Sequence, residues 1–172
     1  MPDAYLELSA DEQKEILQSA ASELGKHEAI LEKDIWVCWA LQTVFSIPDT
    51  HPMAFKGGTS LSKIYNIIDR FSEDVDITLD YRHFGEQFNP FETGMSKNQI
   101  KKFSDRLKAY VKEYANDIVI PFINSELKKF PFGSEQSISI DDNGEKIWVS
   151  YPSVIEKTDE YMKSEILIEL GL

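Results

Sequence analysis

The apolar and polar residues at the start of the chain follow a helical period. A capping box over residues 9–12 opens a first helix, which is predicted to run to about residue 24 and to end at Gly25. A second helix, over about residues 29–46, is apolar nearly all round in its middle, so we expect it to be buried. Residues 1–50 are therefore predicted to form a helical N-terminal part.

Shorter elements follow this helical part. The pattern predicts a strand over residues 53–55, a helix over 59–69 and a strand over 75–79, a turn–helix–strand unit within residues 53–80. After a loop over 81–95, a second capping box at 96–99 opens a helical insertion over 96–130, with an interruption near Pro121. Its core-facing positions are predicted to be Ile100, Phe103, Leu107, Tyr110, Val111 and Tyr114.

The pattern in the last part of the chain predicts strands. Asp142-Asn143-Gly144 between apolar runs at 137–140 and 146–151 predicts a hairpin, and residues 165–170 alternate as a final strand within the segment 137–172. In that strand Ile166, Ile168 and Leu170 should face the core. The pattern as a whole predicts one α+β domain over residues 1–172, with a small mixed sheet flanked by helices.

Composition and charge narrow the class of protein. The 172 residues are 42% hydrophobic, and the net charge of −12 argues against a broad, non-specific nucleic-acid binder. The segment 96–130 is the exception, because it holds eight basic and four acidic residues. On a helix Lys97, Lys101, Lys108 and Lys112 lie on one side, as either a solvated face or a surface that contacts RNA or a partner.

No secretory leader and no membrane-spanning run are recognisable, so we expect a cytoplasmic protein. Cys38 is the single cysteine, which excludes a disulfide within the chain, and it is predicted to be a buried structural thiol. His27, His51 and His83 have no spacing typical of metal ligands, and we assign them no role.

The turn at Lys56-Gly57-Gly58-Thr59-Ser60 is the first candidate site. Glycines let the backbone approach a ligand closely, and hydroxyl residues at a helix start leave N–H groups that attract phosphate. Taken alone, such a turn is more often an ordinary helix entry, and Lys56 is equally well an exposed residue at a strand end.

Asp74-Val75-Asp76 is the second candidate site. On a strand both carboxylates leave the same face, with Cα atoms about 6.5–7 Å apart, close enough to share Mg²⁺. Alternating acids alone often mark only a solvent face. The order of glycine turn, helix and acidic strand nevertheless favours metal-assisted nucleotidyl transfer, with Glu165 or Glu169 on the last strand as a third acid.

Five stretches of the sequence resemble a known family. They are Lys56–Leu61 with Arg70–Asp76, Glu32–Trp36, Tyr151–Ser153 and Ile166–Glu169. Together they resemble the AbiEii/AbiGii toxin branch of the polymerase-β-like nucleotidyltransferases, known from abortive-infection and toxin–antitoxin systems. The resemblance covers most of residues 30–170.

The resemblance implies a nucleotidyltransferase fold and a Mg²⁺- or Mn²⁺-dependent enzyme that transfers a nucleotide from a nucleoside triphosphate to an RNA acceptor such as tRNA. It also implies a cognate antitoxin. By the same resemblance the nucleotide would be held by Lys56, Gly57, Gly58, Thr59 and Ser60, the metal by Asp74 and Asp76, and Glu169 would be the third acid.

Two departures from the family pattern stand out. Leu167 occupies a position where relatives often carry lysine, and relatives continue with a helical C-terminal portion, so we expect this chain to be truncated at its C-terminus. Glu32, Lys33 and Asp34 are either a network that supports the site or a set of ion pairs on a helix surface. The alternative functions are an inactive interaction module with the same fold and a metal-dependent phosphodiesterase.

Overall fold

Capping signals and apolar periodicity account for the helices. The computed structural model describes residues 2–63, 74–84, 94, 96–131, 136–155 and 163–172. In these ranges the helices are α1 (Pro2–Leu6), α2 (Ala10–Leu24), α3 (Glu28–Phe45), α4 (Gly57–Lys63), α5 (Lys97–Tyr114) and α6 (Ile120–Leu127). The strands are β1 (Met53–Lys56), β2 (Asp74–Leu79), β3 (Ile138–Ile140), β4 (Lys146–Ser150) and β5 (Glu165–Gly171).

Both predicted capping boxes are confirmed. The Ser9 hydroxyl accepts a hydrogen bond from the Glu12 N–H while the Ser9 N–H donates to the Glu12 carboxylate, and Ser96 and Gln99 do the same at the start of α5. Helix α2 ends as predicted at Gly25, in the left-handed conformation with φ of 64°. The predicted helix over 59–69 is described only to Lys63; its remainder lies outside the described residues.

The predicted interruption near Pro121 is a widened helical turn rather than a break. A π-helical turn over Ala115–Val119 joins α5 to α6, and Pro121 lies in the first turn of α6. Proline has no N–H to donate, and a wider turn lets the helix continue around that missing donor. The prediction for Ile100 is wrong: its side chain is 42% exposed, because the first turn of α5 extends beyond the core that Phe103 and Leu107 enter.

The strands form one mixed sheet in the order β1-β2-β5-β4-β3. Strands β2 and β5 are parallel, and the other neighbours are antiparallel. One face is apolar and buried under the helices, and it includes the predicted Ile166, Ile168 and Leu170. The alternate positions form a second, polar face, which carries every candidate acid of the site.

Helix α3 is buried as predicted and packs at the centre of the core. Trp36 and Trp39 are 1% and 2% exposed, and Trp36 stacks on Tyr151 with ring centroids 5.1 Å apart. Cys38 is only partly buried, so the prediction of a buried thiol is wrong. The core covers one side of α3 more completely than the other, and Cys38 lies on the less covered side. Within the described ranges, no helix combines the length and apolar character needed to cross a bilayer.

Candidate active site

Four charged side chains lie side by side across the polar face of the sheet. The strand register pairs Lys56 of β1 with Asp76 of β2, Asp76 with Glu169 of β5, and Glu169 with Lys146 of β4. We call these four residues the charged row. Neighbouring strands are about 4.8 Å apart, so adjacent side chains of the row are within reach of one another.

The two carboxylates at the centre of the row perturb each other. Burial raises the pKa of Asp76, and a hydrogen bond to Glu169, the charge of Glu169 and the charge of Asp74 raise it further, while Lys56 opposes these effects. The pKa of Glu169 is lowered, first by its hydrogen bond to Lys146, whose Nζ lies 2.8 Å from Glu169 Oε1. The two pKa values shift in opposite directions, so of the two carboxylates Asp76 holds a proton more readily than Glu169 does.

Lys146 is the residue of this row that sequence reasoning missed. Its alternation with Ile147 and Val149, both fully buried, would have placed it on the polar face. Its pairing with Glu169 depends on β4 lying beside β5, which the sequence does not reveal.

The glycine turn lies directly against Asp76. Gly57 has φ of 75°, and a Cβ placed on it would be 1.9 Å from Asp76 Oδ2 and 2.7 Å from Asp76 Cγ. Only glycine allows this approach, both for its backbone conformation and for its lack of a side chain. Helix α4 begins at Gly57, two residues earlier than predicted, because β1 passes into the helix through this residue without an intervening loop.

Thr59 and Ser60 are buried and bonded to the backbone. The Thr59 hydroxyl donates to the carbonyl oxygen of Asp74 at 2.5 Å, and the Ser60 hydroxyl donates to that of Gly57 at 2.8 Å. The first bond joins the glycine turn to the start of β2, and the second closes the turn on itself. Both hydroxyls therefore fix the turn relative to the acidic strand.

Lys56 on β1 reaches over β2 toward β5, the central strand of the sheet. A Cβ placed on Gly171 would be 2.6 Å from Lys56 Nζ, so the ammonium group lies over the glycine at the end of β5. Its charge lowers the pKa of both Asp76 and Glu169. Lys56 thus lies beside the carboxylates rather than pointing away from them, although its residue is exposed.

A second row crosses the same face two residues away along the strands. It pairs Asp74 with Leu167, Leu167 with Trp148, and Trp148 with Ser139. Glu165 lies a further two residues from Leu167, in register with Ser150, and its carboxylate is 3.6 Å from Lys163 Nζ. Of the two predicted alternatives for a third acid, the structure thus places Glu169 beside Asp76.

Glu32 is buried and bonded to the segment that follows β4, and is not on the helix surface. It is only 2% exposed, and it accepts hydrogen bonds from the Ser153 hydroxyl at 2.6 Å and the Val154 N–H at 2.7 Å. Burial raises the pKa of Glu32, while the two hydrogen bonds lower it. The interpretation as ion pairs on a helix surface is therefore wrong for Glu32, and also for Lys33, which is 4% exposed.

The lysines of α5 divide into two groups. Lys112 Nζ donates to the Asp142 carbonyl oxygen at 2.8 Å, and Lys108 Nζ is 3.9 Å from Glu145 Oε1. Gly144, with φ of 77°, packs on Lys112, because a Cβ there would be 2.4 Å from Lys112 Cα. These two lysines therefore contact the β3–β4 turn, whereas Lys97 and Lys101 lie in the exposed first turns of α5.

The donor set suits a hard cation such as Mg²⁺. Asp74 and Asp76 offer carboxylate oxygens from one face of β2. Burial is the main reason why the pKa of Asp76 is raised, and the neighbouring charges of Glu169 and Asp74 raise it further, a repulsion that a cation would relieve. In the described part of the chain, no group of three or more His, Cys, Asp or Glu side chains is arranged to hold a metal. Mg²⁺ commonly uses one or two carboxylates and completes its shell with substrate phosphates.

An α+β domain with paired carboxylates on a strand beside a glycine turn is typical of nucleotidyltransferase-like proteins. Residues 39–172 match the family model described as nucleotidyl transferase AbiEii toxin, type IV toxin–antitoxin system. This match covers more than half of the chain, which therefore belongs to the AbiEii family of nucleotidyl transferase toxins. No curated protein and no solved structure matches the chain.

Proposed function

We propose that this protein transfers a nucleotide from a nucleoside triphosphate to an RNA acceptor with the help of Mg²⁺. The observation that carries the proposal is the contact between the Gly57 turn and the Asp76 carboxylate, with Glu169 beside it. This contact brings the exposed glycine turn next to two acids of the charged row, and we infer that the turn binds phosphate. The family of nucleotidyl transferase toxins supports the same reaction class.

Each side chain of the site has a proposed task. Asp74 and Asp76 would hold Mg²⁺, which supplies charge neutralisation for the phosphates and for the leaving pyrophosphate. Lys56 and the backbone of Gly57 and Gly58 would contact the triphosphate, and Thr59 and Ser60 would keep that backbone in place.

Glu169 is suited to accept the proton of the attacking hydroxyl or to serve as a third metal ligand. The 2.8 Å ion pair with Lys146 lowers the pKa of Glu169 and so favours the ionised form that a metal ligand requires.

The acceptor would approach along the exposed part of α5. Because Lys108 and Lys112 contact the β3–β4 turn, the contribution of this helix to phosphate binding would come mainly from Lys97 and Lys101. A cognate antitoxin is the protein partner expected for a toxin of this family.

The test is incorporation of label from α-labelled nucleoside triphosphates into total RNA with Mg²⁺. Asp74→Asn and Asp76→Asn should each abolish incorporation, whereas Asp11→Asn in the exposed first turn of α2 should retain it. Near-wild-type turnover in either site variant would refute the metal assignment. Breakdown of RNA without incorporation of label would instead favour a phosphodiesterase.

A further inference from the structure

An aromatic ring lies on the polar face of the sheet next to the charged row. Trp148 alternates along β4 with the fully buried Ile147 and Val149, so its indole projects from the opposite face, where it is partly exposed. Lys146, two residues earlier, faces the same way and belongs to the charged row. A large apolar ring beside four charged groups is not explained by the core.

Trp148 has no aromatic partner among the residues that the structure describes. Trp36 and Trp39 are buried and pack on one another and on Phe130. Among the described residues Trp148 makes no ring–ring contact, and its register neighbours are Leu167 and Ser139. Leu167 is itself partly exposed, so the two side chains form a small apolar platform.

We propose that Trp148, with Leu167 beside it, is the platform on which the base of the nucleoside triphosphate stacks. This inference rests on the proposed function and adds a nucleobase subsite to it. Every nucleobase has a flat π face, and stacking on indole is a general way to hold one.

The dimensions of the sheet support this assignment. Strand β4 lies three strand spacings from β1, about 14 Å from the Lys56 and Gly57 end of the charged row. The row of Trp148 and the charged row are two residues apart along the strand, about 7 Å. An extended nucleoside triphosphate spans a comparable length, so its phosphates can lie at Gly57 while its base reaches Trp148.

Leu167 extends the apolar surface of Trp148 toward β2. Leu167 lies in register between Asp74 and Trp148, so it separates a proposed metal ligand from the ring. An apolar side chain there lets a base approach without desolvating a further charge.

Tryptophan fluorescence tests the proposal directly, because two of the three tryptophans are buried and Trp148 is not. The wild-type protein is titrated with each nucleoside triphosphate and Mg²⁺, and in parallel with inorganic tripolyphosphate. The nucleotide should quench the tryptophan emission. Tripolyphosphate should not quench it, although calorimetry should show that tripolyphosphate binds. Trp148→Phe should lose the quenching and keep most of the affinity.

Affinity provides a second readout. Trp148→Ala should weaken nucleoside triphosphate binding about 5- to 150-fold, the range that corresponds to base–aromatic stacking, and leave tripolyphosphate binding unchanged. In turnover the same variant should raise KM with little change in kcat. Phe45→Ala, an exposed aromatic residue at the end of α3, is the matched control and should change neither quantity.

Unchanged nucleotide affinity in a folded Trp148→Ala variant, or quenching that persists in Trp148→Phe, would overturn the proposal. Failure of tripolyphosphate to bind the wild-type protein would instead refute the proposed triphosphate site at the glycine turn. The two failures are therefore distinguishable.

Discussion

Replacing Gly57 by alanine tests whether the glycine turn and the acidic strand form one site. Two costs follow from the structure. A left-handed backbone costs a residue with a Cβ about 1–2 kcal/mol, and Gly57 has φ of 75°. The new Cβ would also be 1.9 Å from Asp76 Oδ2, far inside a normal contact of about 3.5–4 Å, so the carboxylate must move. Overpacking of this kind costs about 1–3 kcal/mol more.

Gly25 provides a matched control for the backbone term. It has φ of 64° at the end of α2, and a Cβ there would meet no atom within 4 Å. Gly25→Ala should therefore lower the free energy of unfolding by the backbone term alone, about 1–2 kcal/mol. Gly57→Ala should lower it by more, and the difference between the two variants measures the clash with Asp76.

The assay is urea denaturation, which measures the free energy of unfolding of four variants. They are Gly25→Ala, Gly57→Ala, Asp76→Ala and the double variant that combines Gly57→Ala with Asp76→Ala. Removing the carboxylate should reduce the extra cost of the Gly57 substitution toward that of Gly25→Ala, with a remainder because the Cβ of residue 76 stays 3.0 Å from the new Cβ. A double-mutant cycle isolates this coupling. Nucleotide transfer should fall about 100-fold in Gly57→Ala, because Asp76 is displaced by an ångström or more. Equal costs in the two glycine variants would refute the contact.

Three further outcomes are expected. Asp76→Asn should stabilise the fold at neutral pH. Because the pKa of Asp76 is raised in the folded state, its contribution to stability is greatest below its unfolded-state pKa and falls as the pH rises through its folded-state pKa. The gain in urea midpoint over wild type should therefore vanish in acid, and a pH-independent difference would contradict the prediction. Glu32→Ala should lower the free energy of unfolding by about 1–3 kcal/mol, because the half-buried Val154 N–H loses its acceptor, while the Ser153 hydroxyl keeps the Ile155 carbonyl oxygen at 3.2 Å. Glu32→Gln should cost less, and the exposed Glu15→Ala is the control. Lys97→Gln with Lys101→Gln should reduce the salt dependence of RNA binding by up to about two units of slope, and an unchanged slope would assign both lysines to a solvated face.

The polar face of the sheet could be predicted from sequence only in part. The period of two placed Asp74 with Asp76, and Glu165 with Glu169, on faces opposite to the core, and the burial of Ile166, Ile168 and Leu170 confirms that alternation. The choice of Glu169 over Glu165 needed the register between β2 and β5. Register between strands that are distant in the chain follows from tertiary packing, which local patterns do not encode.

The same reason explains why Lys146 was missed and why the α5 lysines were read as one group. Their spacing places Lys97, Lys101, Lys108 and Lys112 on one side of a helix, but it does not show that the β3–β4 turn covers the last two. Gly144 allows that turn to lie against Lys112, and the turn leads directly into Lys146. Lys108 and Lys112 therefore contact the turn that precedes Lys146 of the charged row, rather than forming one surface with Lys97 and Lys101.

The buried carboxylate of Glu32 connects two sequence signatures that are far apart in the chain. The Glu32 carboxylate accepts hydrogen bonds from Ser153 and Val154, which follow β4 and precede β5. These are the strands that carry Lys146 and Glu169, so a carboxylate on α3 fixes the chain between the two halves of the ion pair. Burying an acid costs free energy unless the acid is hydrogen-bonded, and Glu32 accepts two hydrogen bonds. An aliphatic residue at this position would leave the Val154 N–H and the Ser153 hydroxyl without that acceptor. Glu32 thus supports the site through the backbone rather than by contact with a metal or substrate.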